Sequence, residues 1–287
     1  MITVQGLTKR YDDRTVVDDV TFRCEPGTVT GFLGPNGAGK STTLRILAGL
    51  AAPSAGTASI DGRTVRQLPN PAAVVGALLD ASAVHPGRTG RGHLRLLAEV
   101  IGVPRGRVDE LLDVVGLTGA AGRRIGGYSL GMRQRLGIAA ALLADPPVLI
   151  FDEPANGLDP EGIRWLRGLL RGHADRGGAV LLSSHLLAEV EHTVDHLVVI
   201  GGGRLVADAP IDELLAADVT VVRAVDPAAL ATDLRRAGHP VERDGDRLTV
   251  GGTPAEVGAV AARCGHALVD LRPAGRDLED LFFQLTA

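Results

Sequence analysis

Nine residues near the start of the chain, GPNGAGKST, carry the first chemistry. They satisfy the pattern GxxxxGK(S/T), follow the strand-like TVTGFLG and open the helix-like KSTTLRILAGL, the setting in which that pattern cradles phosphate. Gly34, Gly37 and Gly39 let the backbone curl so that its N–H groups face a phosphate, and the free N–H groups of the following helix add to the attraction. Lys40 supplies a point charge and the Ser41 hydroxyl a ligand for Mg²⁺. We therefore assign the whole loop, with Pro35, Asn36, Ala38 and Thr42, to nucleotide binding. The second motif is VLIFDE, an apolar run ending in two acids. Asp152 is placed to hold a magnesium shell, and Glu153 to orient an attacking water and take its proton. The bland alternatives are an idle glycine loop ahead of an ordinary helix, and two acids capping a helix at Pro160. The pairing of the two motifs outweighs both.

The elements that must position these residues can be read in outline. ITVQGLTKRY and VVDDVTFRC are strand-like, GTASIDGRTV reads as a strand pair, and VVGALLD as a buried strand. From about Thr89 to Ala144 the apolar spacing turns helical, giving a helical insert over about 82–145. VLIFDE and AVLLSSH are unbroken apolar runs of the kind found in central strands of a parallel sheet. HLVVIGGGRLVADAP reads as a hairpin turning at its glycines. Residues 1–217 make the larger domain, and 218–287 a small α/β domain in the order β, α, β-hairpin, α, β, α. Its helices lie in AALATDLRRAG, PAEVGAVAARCG and DLEDLFFQLT.

Composition excludes several classes. With 287 residues and 45% apolar content the chain can bury a sizeable core. No apolar run reaches the length of a membrane helix and the start is a strand pattern, so we expect neither a membrane span nor a secretion signal. The net charge of −4 carries no basic run, which argues against a nucleic-acid partner. Lysine occurs only at Lys9 and Lys40, so each is worth inspecting. Cys24 and Cys264, with no C-x-x-C spacing, read as two small buried apolar residues.

GPNGAGKST, VLIFDEPANGLDP and LLSSH together resemble the nucleotide-binding subunit of an ABC transporter, over roughly residues 1–215. The resemblance implies an α/β P-loop NTPase fold: a RecA-like parallel-sheet core, an antiparallel β subdomain and a helical subdomain, followed here by the small C-terminal domain. It implies ATP and Mg²⁺ as cofactors and ATP hydrolysis coupled to transport. Tyr11 resembles the aromatic that stacks on adenine, although a lone aromatic could equally be packing. Asp159 matches a loop that crosses to a second subunit, and His185 the histidine that touches the γ-phosphate. Together with Lys40 and Glu153, His185 completes the implied catalytic set.

YSLGMRQ falls where this family carries its signature, LSGGQ. Leu130 and Met132 depart from it; Ser129 and Gly131 remain. Ser129 is a natural N-cap, the N–H groups that follow can face an anion, and Gly131 allows a phosphate to come close. In the family the signature meets ATP held by the other subunit, which implies a head-to-tail homodimer or a pair with a paralogous ATPase. A further departure is Asp80, where the family usually has glutamine beside the magnesium shell and the membrane partner. An acid there can reach Mg²⁺ through water but adds like charge near the γ-phosphate.

YSLGMRQRLGIA, GALLDASAVHPGRT and the tail DLEDLFFQLT resemble ATPases of drug and antibiotic exporters. This implies a peripheral subunit at the cytoplasmic face of the membrane, working on a separately encoded integral permease. The rival class is an ATP-driven clamp or nucleotide-gated switch outside transport. Only about ninety residues separate Lys40 from Ser129, too few for the coiled-coil insert of chromosome clamps, and a single nucleotide-binding copy is present.

Overall fold

A computed structural model of the chain describes residues 1–185, 187–215, 219–274 and 278–286. Two compact units result: Met1–Pro210, to which the last turn from Gln284 also belongs, and Ile211–Phe283. The boundary expected at 217/218 lies outside the described residues, as does Asp277, the first residue of DLEDLFFQLT.

The first unit opens with β1 (Ile2–Tyr11), β2 (Arg14–Cys24), β3 (Val29–Leu33), α1 (Lys40–Leu47), β4 (Ala55–Ile60) and β5 (Val75–Leu78). Three helices follow, α2 (Gly90–Ile101), α3 (Gly106–Val114) and α4 (Leu130–Ala141). The rest is β6 (Val148–Asp152), α5 (Pro160–Asp175), β7 (Ala179–Ser183), α6 (Leu187–Glu191), β8 (His196–Gly201) and β9 (Arg204–Pro210).

Among the described residues, β2-β1-β4 form an antiparallel sheet and β5-β6-β7-β3-β8-β9 a second one, parallel except for its edge strand β9. The buried runs VTGFL, VLIF and AVLLS are the strands that this sheet covers on both faces. Their side chains meet the antiparallel sheet and α1 in one core, where Phe22 stacks on Phe32 at 5.3 Å. Burying a large apolar side chain there contributes roughly 1.5–3 kcal/mol, so this core fixes the strand ends that carry the loops.

Two expectations need correction. GTASIDGRTV yields one strand, not a pair. After β4 the chain makes a single bridge, Ile60 to Arg63, then a 3₁₀ turn at Val65–Gln67. There the Thr64 N–H donates to Gln67 Oε1 at 3.0 Å, a capping box that draws the backbone into a turn. Nor are the two cysteines alike. Cys24 is fully buried and desolvation pushes its thiol up to about 12, whereas Cys264 stands on an exposed position at the end of a helix, Pro254–Arg263.

The second unit holds α7 (Ile211–Leu215), β10 (Val219–Ala224), α8 (Pro227–Arg236), β11 (Val241–Asp244), β12 (Arg247–Gly251), α9 (Pro254–Arg263), β13 (Leu268–Pro273) and, as far as Phe283, α10 (Leu278–Thr286). Its sheet order, β11-β12-β10-β13, is antiparallel throughout, the split β-α-β arrangement. Val222, Leu230, Leu234, Leu248 and Val257 form a core of its own.

Candidate functional site

Strand order places the two motifs together. β3 and β6 flank β7, so the loop after β3 and the acids ending β6 emerge side by side at the C-terminal ends of parallel strands, where open α/β sheets bind ligands. Gly39 leads into α1 with φ +104, and a Cβ there would stand 2.7 Å from the Val16 carbonyl oxygen. Only glycine fits. The turn it permits aims Lys40 back under its own loop, where Nζ donates to the carbonyls of Gly34 (2.5 Å) and Pro35 (3.2 Å). Lys40 is buried, and that desolvation lowers its ammonium below the ordinary lysine value while the Glu153 and Asp152 carboxylates push it back up.

The acids are held through a residue that sequence reading missed. Ser183, fully buried at the end of β7, is in register with Asp152; its hydroxyl donates to Asp152 Oδ1 at 2.5 Å and accepts the Glu153 N–H at 3.0 Å. The signal was present in LLSSH, a polar residue closing an apolar strand. Glu153 sits at φ +52, a left-handed conformation uncommon for a residue with a side chain and a recurrent mark of functional sites. Its Oε2 accepts the backbone N–H of His185 at 3.2 Å and lies 2.6 Å from His185 Nδ1. The histidine and the expected base are therefore one hydrogen-bonded pair.

A cavity of about 470 Å³ opens over this arrangement, within the range of small-molecule sites. Asn36, Gly37, Gly39, Lys40, Ser41 and Thr42 line one side; Asp80, Asp152 and Glu153 line another. Gln134, Leu130 and Asn156 also line it, three residues that the motifs do not single out as site residues. The Asp80 Oδ1 accepts both the N–H (2.8 Å) and the hydroxyl (2.6 Å) of Ser82, and these two bonds hold its carboxyl below the usual range. Asp80 thus stays ionised at neutral pH.

Other expected residues lie outside the cavity lining. Tyr11 is 46% exposed with Lys9 Nζ 4.7 Å from its ring centroid, and Val16 is the β2 residue that reaches the cavity. Ser129 caps α4 as expected, its hydroxyl accepting the Met132 N–H at 3.2 Å. Asp159 caps α5, accepting the Gly162 N–H at 2.8 Å, so the capping that was one alternative for the acids of β6 falls to this residue instead. For Gly131 the structure gives a cause the sequence did not: a Cβ there would stand 2.5 Å from the Gly157 carbonyl oxygen of the same chain.

Comparison with known proteins identifies the family. A family model described as ABC transporter matches residues 17–156, and one described as Domain of unknown function (DUF8746) matches 218–279. The bacitracin transport ATP-binding protein BcrA of Bacillus licheniformis is 40% identical over 75% of this chain and 71% of its own length. The Nod factor export ATP-binding protein I of Ralstonia nicotianae is 36% identical over 100% of this chain and 94% of its own length. A solved structure of the ATP binding subunit of an ABC transporter superposes with TM-score 0.69 at 32% identity, covering 75% of this chain and 91% of that one. With the phosphate loop, the paired acids and the sheet that joins them, these likenesses place the chain in the family of ABC transporter ATP-binding proteins: it is an ATPase of ABC transport.

Proposed function

We propose that this ATPase works as half of a head-to-tail pair and drives export of a drug, antibiotic or lipid-like compound through a separately encoded membrane protein. One observation carries the pairing. Ser129 and Gly131 at the start of α4, and Asp159 at the start of α5, lie outside the cavity that contains the phosphate loop. They can meet a nucleotide when it is held by another chain, either a second copy or a paralogue. The cargo class follows relatives named for bacitracin transport and Nod factor export. Transport needs a path through the bilayer, and among the described residues no helix is long and apolar enough to cross one. An integral partner supplies that path in this reading, with the ATPase seated peripherally on its cytoplasmic face.

At the site, the phosphate loop and Lys40 hold the β- and γ-phosphates, and the exposed ring of Tyr11 is offered to the adenine. Ser41 and Asp152 would hold Mg²⁺, with Asp80 reaching it through water. The fit is chemical: all three line the cavity with oxygen donors, the kind that a hard cation takes beside phosphate oxygens. Magnesium would supply neutralisation of phosphate charge. Glu153 takes the proton of the attacking water, and His185, bonded to Glu153 Oε2, fixes that carboxylate and meets the γ-phosphate.

Purification of the tagged chain from membranes tests the assignment. One integral membrane protein is expected to co-purify, with ATP turnover several-fold above that of the isolated chain. Recovery of the chain alone, with turnover indifferent to the membrane fraction, would remove the transport reading.

Asp80 makes a second test. A fixed carboxylate in the phosphate cavity opposes the incoming γ-phosphate by about 1 kcal/mol in a solvated setting. Asp80→Gln is therefore expected to raise turnover or nucleotide affinity of the assembled transporter about fivefold. Equal rate and affinity in the variant would discard the idea.

A further inference from the structure

Three contacts join the start of α4 to the segment carrying the base, and a fourth bond closes that segment on itself, all within one chain. Gln134, buried and one turn into α4, donates from Nε2 to the Glu153 carbonyl oxygen at 3.1 Å. The same oxygen accepts the Asn156 N–H at 3.2 Å. The Gly157 carbonyl oxygen occupies the space a Cβ on Gly131 would need, 2.5 Å away. In return, Leu130 Cγ stands 2.5 Å from where a Cβ on Gly157 would be, and Gly157 is itself left-handed at φ +74. The two turns interlock, with a glycine on each accepting an atom of the other.

We infer that Gln134 and Leu130 are positioning residues that tie the signature turn to the Glu153 peptide, so that phosphate engaged at the start of α4 on behalf of one ATP site sets the base of the other. The inference rests on the proposed head-to-tail pair and on Glu153 as base. Its physical basis is close packing. The Glu153 peptide is held at φ +52 by Ser183 on the β7 side and by Gln134 on the α4 side, and a helix moves as a rigid body. The interlock leaves no slack, so a small displacement of the α4 N-terminus reaches Glu153. Gln134 Oε1 is buried without a partner among the described residues, so the amide's one bond is the bond to Glu153. Leu130, a departure from the family signature, is explained by the same packing, because its side chain fills the hollow over Gly157.

The test uses the full chain with its membrane partner and the variant Gln134→Met, which keeps length and packing but cannot donate. A fluorescent ATP analogue is expected to bind within about twofold of the parent, and the melting temperature to change little. The kcat falls on the order of tenfold or more, because misplacing a reacting group by a fraction of an ångström is costly. The ATP dependence of turnover is expected to be sigmoidal in the parent and hyperbolic in the variant. The second variant, Gly157→Ala, loses turnover, and Leu130→Gly in the same chain restores part of it by vacating the clash. Unchanged kcat in Gln134→Met overturns the inference. So does a loss of affinity and stability in step with kcat, and so does a hyperbolic parent curve. A Glu153→Gln control separates the failures: if that variant still turns over, the assignment of the base fails; if it does not, failure of Gln134→Met condemns only the coupling.

Discussion

Glu153→Gln is expected to abolish ATP turnover while leaving nucleotide bound. The amide is nearly isosteric with the carboxylate, and the backbone bonds that hold residue 153, from its N–H to Ser183 and from Gln134 to its carbonyl, are untouched. The side chain can still accept the His185 N–H. What disappears is the ability to take a proton from water, and general-base contributions of this kind are about 10²–10⁴-fold in rate. ATP that binds and is not cleaved keeps the proposed pair closed. Size exclusion of the variant with ATP should therefore show a species of twice the chain mass that the parent shows only transiently. Turnover within about threefold of the parent would sink the mechanism.

Lys40→Met has the second large effect, on binding instead of chemistry. Lys40 is buried, and its ammonium is the one cation among the described residues that line the cavity. Removing a buried, hydrogen-bonded charge from a phosphate contact typically costs about 2–5 kcal/mol, so the Kd for ATP should rise on the order of 30-fold to several thousandfold. Stability should move less. The substitution leaves the Gly34 and Pro35 carbonyls without their Nζ donor, yet it also removes the desolvation that lowers the lysine's own pKa. Titration calorimetry beside thermal melting reads both quantities. ATP affinity within about threefold of the parent would remove the phosphate-loop assignment.

The site is legible in the sequence where its residues are contiguous. GPNGAGKST and VLIFDE announce a phosphate loop and its acids because each is a local pattern on a strand end, and the alternation of apolar runs points to the parallel sheet that joins them. Ser183 leaves only a faint mark, a polar residue closing the apolar strand of LLSSH, and Gln134 leaves none. Each acts on residues about twenty to thirty positions away, through strand order β6-β7 in one case and the seating of α4 in the other. Gly131 shows a subtler limit. Its type signals a demand for close approach, but the approaching atom is the chain's own Gly157 oxygen. Cys264 departs from expectation because an apolar character says nothing about which face of a helix end a residue occupies.

That last difference has a practical side. The Cys24 thiol, sealed in the core and pushed up to about 12, offers almost no thiolate at neutral pH, whereas Cys264 stands open at the end of α9. The unaltered chain is therefore singly addressable: a maleimide dye or spin label attaches to the small C-terminal unit and to no residue of the nucleotide cavity. Motion of that unit during an ATP cycle can be followed without introducing or removing a cysteine.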